Sequence, residues 1–521
     1  MSARRNDKPE APPAGLRGDD RGAWDKVIAW LKDEAHHGDP APVARQALAE
    51  YRRFDAAVAK EEAELLANPL LWNDEEQALG LWIGRAFHEF TQSAVAALGR
   101  FAEARVAGQS GNDIAAALAG LAFTAGGAAL KWTEVAGAGR RGAAVAEMNR
   151  AFGIVEALDL VRDKPVTVAA GRDQSPSLES HYSRVMLLDA FCRGNLGRAQ
   201  VAILDSWLWE WAPEYRVTRT ALPGALLAVE GHGARGARAL AAGETPAGRL
   251  LWIEPLGEQI AGAVRAFHEG SIPPGRGISL IFRVEEHAAV LDHLRAFLDI
   301  ARRGLPARQV REGCEAFVEL LVGLPEILAK AFSPRGWGGN VIASHGGGQR
   351  SIEERQLEVN RRRLRLVDES ASGLGLEGDD ADQSLAVGTL VALRREDGGP
   401  PLLAEVARRV AVAGAPTRIG MRILSGDPRR LTLERQSRRG QVDALYLPGT
   451  DSSGRADAIL VAQSDFDPQA YLDARLGDRH YGLRLNRIRH LGRGWVLAGL
   501  EVLEERVQDV PPAMELSLAP A

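Results

Sequence analysis

A chain of 521 residues exceeds what one compact core holds, so about two to four domains are expected. A formal net charge of −5 leaves no basic excess to grip a phosphate backbone, which argues against generic nucleic-acid binding. Only two cysteines occur, Cys192 and Cys314, which excludes a disulfide framework and a cysteine-rich zinc site and fits a reducing, cytoplasmic setting.

Residues 1–22 are polar, rich in Pro and Gly, and carry no apolar h-region, so they read as a disordered lead-in rather than a signal peptide. From Trp24 the spacing turns helical: Trp24, Val27, Ile28 and Leu31 fall at i, i+3, i+4 and i+7. The stretches APVARQALAEYRRFDAAVAKEEAELLANP and EEHAAVLDHLRAFLDIARRG continue that logic with charges on the opposite face. Both cysteines sit in apolar, helix-like surroundings and read as small core residues. Turn chemistry at Asn68-Pro69, Asp163-Lys164-Pro165, Ala212-Pro213 and Pro273-Pro274-Gly275 interrupts the run, and no fixed repeat recurs. Residues 23–332 are therefore expected to form an irregular all-helical array.

Within it, Ile114 to Leu130 carries no charge. It consists mainly of Ala and Gly, whereas a membrane span needs about 20 strongly apolar residues. A tightly packed helix pair is expected there, and no integral membrane segment. Gly137, Gly139 and Gly142 spell G-x-G-x-x-G, but no hydrophobic strand precedes them, so they read as a loop between helices. His287 and His293 are six apart, on different helix faces, and His36-His37 lies in a turn, so neither pair reads as a metal site. Trp207, Trp209 and Trp211 alternate near a helix end, where aromatics close a core more often than they form an interface. No nucleotide-cradling Gly-Lys-Ser/Thr loop, H-E-x-x-H or G-x-S-x-G occurs. A non-enzymatic protein without a metal or cofactor is expected.

Residues 333–349 are Gly-rich and read as a flexible joint. Beyond them the period shortens. RRRLRLVDESASGLGL, GTLVALRRE, LLAEVARRVAV and TRIGMRIL read as short strands of an antiparallel barrel over 350–426. QVDALYLPG, ADAILVAQ, RHYGLRLNRIRHLG and GWVLAGLEVLEE supply a second β module over 427–508, ahead of a loose tail at 509–521. The expected class is thus multidomain α + β, with helices first and β-barrels second.

DESASG, at Asp368 to Gly373, is the most informative motif. Asp368, Ser370 and Gly373 fit D/N-x-S-x-x-G, an alternating strand precedes them, and Ile419-Gly420-Met421 lies in a closing hairpin. In this the chain from about Arg350 to Leu424 resembles the PilZ family. Asp, Ser and Gly are also what any tight strand connection favours, so a plain turn stays open. The resemblance implies a bacterial receptor for cyclic di-GMP, with Asp368, Ser370 and Gly373 at the ligand. The family also places R-x-x-x-R upstream of its first strand. Here Arg361 and Arg365 have that spacing but lie on the motif strand, while Arg350 and Arg355 are better placed but one residue too far apart. Either pair could serve, or neither. Two functions follow: a receptor relaying ligand state through its helical region to a protein partner, or a ligand-independent adaptor on the same fold.

Overall fold

The computed structural model describes residues 40–67, 74–106, 112–136, 142–163, 176–269, 282–303, 312–332, 362–396, 400–435, 441–449 and 457–507, apart from 225, 232, 235, 241–243, 245–247, 283, 371, 379–383, 413–414, 469 and 477–478. The expected lead-in at 1–22, joint at 333–349 and tail at 509–521 lie outside the described residues. The chain divides into two compact units, Met1–Arg308 with Val410–Ala415, and Gln309–Arg409 with Pro416–Ala521.

The first unit is built on helices α1 (Pro40–Ala67), α2 (Asp74–Val106), α3 (Asn112–Val135), α4 (Gly142–Ala157), α5 (Leu178–Phe191), α6 (Arg198–Trp211), α7 (Leu256–His268) and α8 (Val284–Arg303). The uncharged Ala/Gly stretch is α3, which packs against α2, α4 and α5. By length and composition α3 could cross a membrane, and 83% of its most apolar window is buried inside this fold. Small residues are what allow that depth. A Cβ at Gly126 would strike the Met148 side chain of α4, and one at Gly127 would strike the Arg184 guanidinium of α5. Helix α5 is buried along its whole length, polar residues included, and starts at an N-cap where Ser180 N donates to Ser177 Oγ at 3.2 Å.

The helical array is not purely helical. A four-stranded antiparallel sheet, in the order β1 (Arg216–Thr218), β4 (Arg249–Trp252), β2 (Leu226–Val229), β3 (Ala237–Ala239), lies between α6 and α7 in the chain. Strands of three or four residues span too few positions for a period of two to emerge from the sequence.

In the second unit, β5 (Glu312–Val322), β6 (Arg362–Ser370), β7 (Gly373–Gly378), β8 (Leu390–Arg395), β9 (Leu402–Val412) and β10 (Ala415–Ser425) close a barrel in the order β10-β7-β6-β5-β8-β9. Its first strand lies ahead of the Gly-rich joint, so the barrel does not begin at residue 350 and the helical array does not run to 332. Cys314 accordingly belongs to a strand and not to a helix. In EGCEAFVELLV, buried Val318 and Leu320 alternate with exposed Phe317 and half-buried Glu319. That period of two is masked by residues that also form helices well. A short helix, α9 (Leu324–Lys330), follows directly.

The second barrel comprises β11 (Arg429–Arg435), β12 (Gln441–Leu447), β13 (Ala458–Ala462), β14 (Tyr471–Leu476), β15 (Arg479–Gly492) and β16 (Trp495–Val507), closed in the order β11-β12-β13-β16-β15-β14. Strands β8 and β13 are apolar on both faces because each serves two cores. Val391 and Leu393 fill the first barrel, and Ile459 and Val461 the second. Leu390, Ala392 and Leu460 join Ile327, Leu328 and Trp495 in a shared core between the barrels. The fully buried Trp495 donates its indole N–H to Gly388 O at 3.0 Å, which also accepts Arg493 N at 2.8 Å.

Candidate functional site

Motif residues Asp368, Ser370 and Gly373 lie at the tip of the β6–β7 hairpin, where Ser370 pairs with Gly373 and its hydroxyl donates to Gly373 O at 3.2 Å. The motif is therefore a tight strand connection. It is also more than that, because of a bulge just upstream. Register on β7 advances one residue, from Leu376 to Gly375, while β6 advances two, from Leu366 to Asp368. A one-residue slip exchanges the two faces of a strand. Leu364 and Leu366 point into the barrel core, yet Asp368 and Ser370 emerge on the same outer face as Arg365.

Pairing with β10 extends that face into three cross-strand rows. Arg365, Glu377 and Arg418 form the first, Asp368, Gly375 and Gly420 the second, and Ser370, Gly373 and Arg422 the third. The middle row is floored by glycine for steric reasons. A Cβ at Gly375 would stand 2.6 Å from Asp368 Oδ1, and one at Gly420 would stand 3.3 Å from Arg408 Cβ. At Gly373 an added Cβ would come within 2.8 Å of Met421 O. The result is a polar face across three strands, in which the Asp368 carboxylate lies close over Gly375 and the Arg408 side chain against Gly420, with guanidiniums on either side.

Electrostatics organise the first row. Arg365 donates to Glu377 Oε2, and Arg418 Nε donates to Oε1 of the same carboxylate at 2.8 Å. The hydrogen bond from Arg365, with that from Arg418 and both charges, holds the Glu377 carboxyl below the usual range although its shielding from water opposes this. Glu377 is 8% exposed, whereas Arg365 and Arg418 are 47% and 77% exposed, so the acid lies beneath two outward-facing cations. At the other end, Arg422 and His490 both bond to Glu405, the His490 contact measuring 2.8 Å, which ties this face to the second barrel.

Of the arginines expected at a ligand, Arg350, Arg355 and Arg361 lie outside the described residues. Arg365 shares the outer face with Asp368 and Ser370, on the motif strand as the sequence places it. Glu377, Arg408, Arg418 and Arg422 were not anticipated. The signal for the three arginines was present in the alternation of TRIGMRIL and ARRVAV, and that for Glu377 in GLGLEG, but only the strand register reveals which face they share.

The other constellations resolve into packing. Gly142 opens α4 directly after the α3–α4 connection, while Gly137 and Gly139 lie outside the described residues, as does His36-His37. His287 is fully buried beside Trp207, and His293 Nε2 lies 3.0 Å from Phe191 O. Burial lowers the His293 pKa, so its imidazole is held neutral. Among the described residues, no group of three or more His, Cys, Asp and Glu could hold a metal ion. Trp207 and Trp211 are buried and stacked at 5.3 Å, and Trp209 lies under the Arg184 guanidinium at 4.0 Å. Beside them runs a buried ion network, in which Lys131 pairs with Glu62 and Asp205, and Arg184 pairs with Asp205.

Residues 17–221 match the family model described as the N-terminal domain of the cyclic-di-GMP receptor FimW. That stretch is less than half of the chain and takes in α1 to α6 and β1. Neither a curated protein nor a solved structure matches the chain. The part of the chain ahead of the barrels is thus similar to a domain of a cyclic-di-GMP receptor, independently of the motif on the first barrel.

Proposed function

We propose that the protein is a bacterial, cytoplasmic receptor for cyclic di-GMP, that the ligand binds on the outer face of β6, β7 and β10, and that the helical unit passes the bound state to a protein partner. The observation that carries this reading is the bulge at Leu366–Asp368, which gathers Arg365, Asp368 and Ser370 above the glycine floor. The similarity of residues 17–221 to a domain of a cyclic-di-GMP receptor supports the choice of ligand.

Each part of the ligand has a chemical counterpart. Asp368 and Ser370 offer hydrogen-bond partners for a guanine edge, Gly375 leaves the space in which the Asp368 carboxylate lies, and the guanidiniums match phosphate or guanine acceptors. No catalytic step is assigned. Isothermal titration of the full chain with cyclic di-GMP tests the reading against an Asp368→Ala/Ser370→Ala double variant. Micromolar binding, about −8 kcal/mol, lost in the variant, supports the reading. Equal binding by both would refute this site.

The pairing of Arg365 and Arg418 with Glu377 favours a second reading, a ligand-independent adaptor whose two cations already have a carboxylate partner. It requires that cyclic di-GMP produce neither heat nor a thermal shift, and that a partner be recovered equally with and without the nucleotide.

A further inference from the structure

Two arginines of like charge on strands flanking a third ordinarily splay apart into water. On β6 and β10 they converge instead, because Glu377 on the strand between them offers one carboxylate oxygen to each. The acid lies low and nearly covered, at 8% exposure, with the guanidiniums above it at 47% and 77%. Arg365 spends one Nη on this contact and Arg418 its Nε, which leaves each planar group further donors on its solvent side. The row also abuts the glycine floor and Asp368.

We infer that Glu377 is a positioning residue that pairs Arg365 with Arg418 into a two-guanidinium cradle for a phosphate of the bound nucleotide, with Arg418 a ligand-contacting residue. The inference rests on the reading that this face takes cyclic di-GMP, and it names which groups on the face hold the phosphate. Both cations come from the barrel sheet, so upstream arginines are not required to supply the pair. Preorganisation is the physical gain. Phosphate meets two forks already oriented, and the ordering cost of two long side chains is met during folding rather than binding.

The sign of one substitution separates this from general charge attraction. Glu377→Gln removes a negative charge, so attraction alone makes an anion bind more tightly. A positioning role makes it bind more weakly, because the two arginines, no longer bridged, repel each other. Full-length protein, Glu377→Gln and Arg418→Ala would be titrated with cyclic di-GMP and, separately, with inorganic pyrophosphate, and their thermal unfolding recorded. The expected result is about a tenfold loss of cyclic di-GMP affinity in each variant. Arg418→Ala should also show a shallower salt dependence, and Arg418→Lys should not restore binding, since a point charge lacks the planar fork.

Unchanged or tighter binding by Glu377→Gln overturns the inference and leaves the receptor reading standing. Pyrophosphate binding that weakens in Glu377→Gln, with no cyclic di-GMP binding by any form, keeps the cradle and removes the nucleotide. Failure of the unsubstituted protein to bind either probe overturns both.

Discussion

The two units handle charge in opposite ways. In the helical unit, Lys131, Arg184 and Asp205 lie inside the protein, and Arg184 is only 2% exposed, so these charges are used up in packing. In the first barrel the charges stand in rows on the outer face, where Arg365 and Arg418 keep donors turned to water. An interior ion network fixes how helices pack and has no face left for a ligand. A sheet sorts residues by parity, so everything not needed for the core is presented on one surface, where it can bind.

This contrast can be broken most severely in the helical unit. Asp205→Ala leaves Arg184 and Lys131 buried without that carboxylate, and should cost about 3–5 kcal/mol of stability. Chemical denaturation monitored by tryptophan fluorescence would measure it, and a loss under about 1 kcal/mol would mean the network is dispensable. A substitution on the outer face of the barrel should behave otherwise. Gly375→Ala places a methyl group where the Asp368 carboxylate now lies. It should weaken cyclic di-GMP binding about tenfold while the melting temperature moves by only a few degrees.

A third and smaller effect concerns pH. Burial opposes ionisation of Glu405, but its hydrogen bond to His490, with the charges of His490 and Arg422, prevails and lowers its pKa below the ordinary 4.5. A carboxylate lowered by folding stabilises fully above its unfolded pKa, and that stability is lost as pH falls through the folded value. Acid unfolding of the protein should therefore steepen below about pH 4.5. Glu405→Gln should flatten that limb of the curve, and an unchanged profile would show that the Arg422–Glu405–His490 contact contributes nothing to joining the barrels.

Much of this was legible in the sequence. The uncharged Ala/Gly run was readable as a packed helix because Ala and Gly give little transfer energy but permit close approach. The two β modules followed from strand spacing, and the tight β6–β7 connection from the turn chemistry of Asp368, Ser370 and Gly373. What escaped was shorter or depended on pairing. Strands β1 to β4 are too brief to display a period, and EGCEAFVELLV uses helix-forming residues in a strand. RRLTLER and YLDARL, which became β11 and β14, were passed over between stronger signals. Glu377 and Arg418 lie 41 residues apart in the chain, and only the register that sets Arg418 against Glu377 and Glu377 against Arg365 makes them one site. The bulge after Leu366 is likewise invisible in the letters, yet it decides that Asp368 faces outward.

The most direct test is amide hydrogen exchange of the full chain with and without saturating cyclic di-GMP. The account predicts new protection concentrated in residues 362–378 and 415–425, the strands that carry Arg365, Asp368, Glu377 and Arg418. Protection confined to the helices between residues 40 and 221, with none in those strands, would contradict it and move the ligand to the region similar to the FimW N-terminal domain.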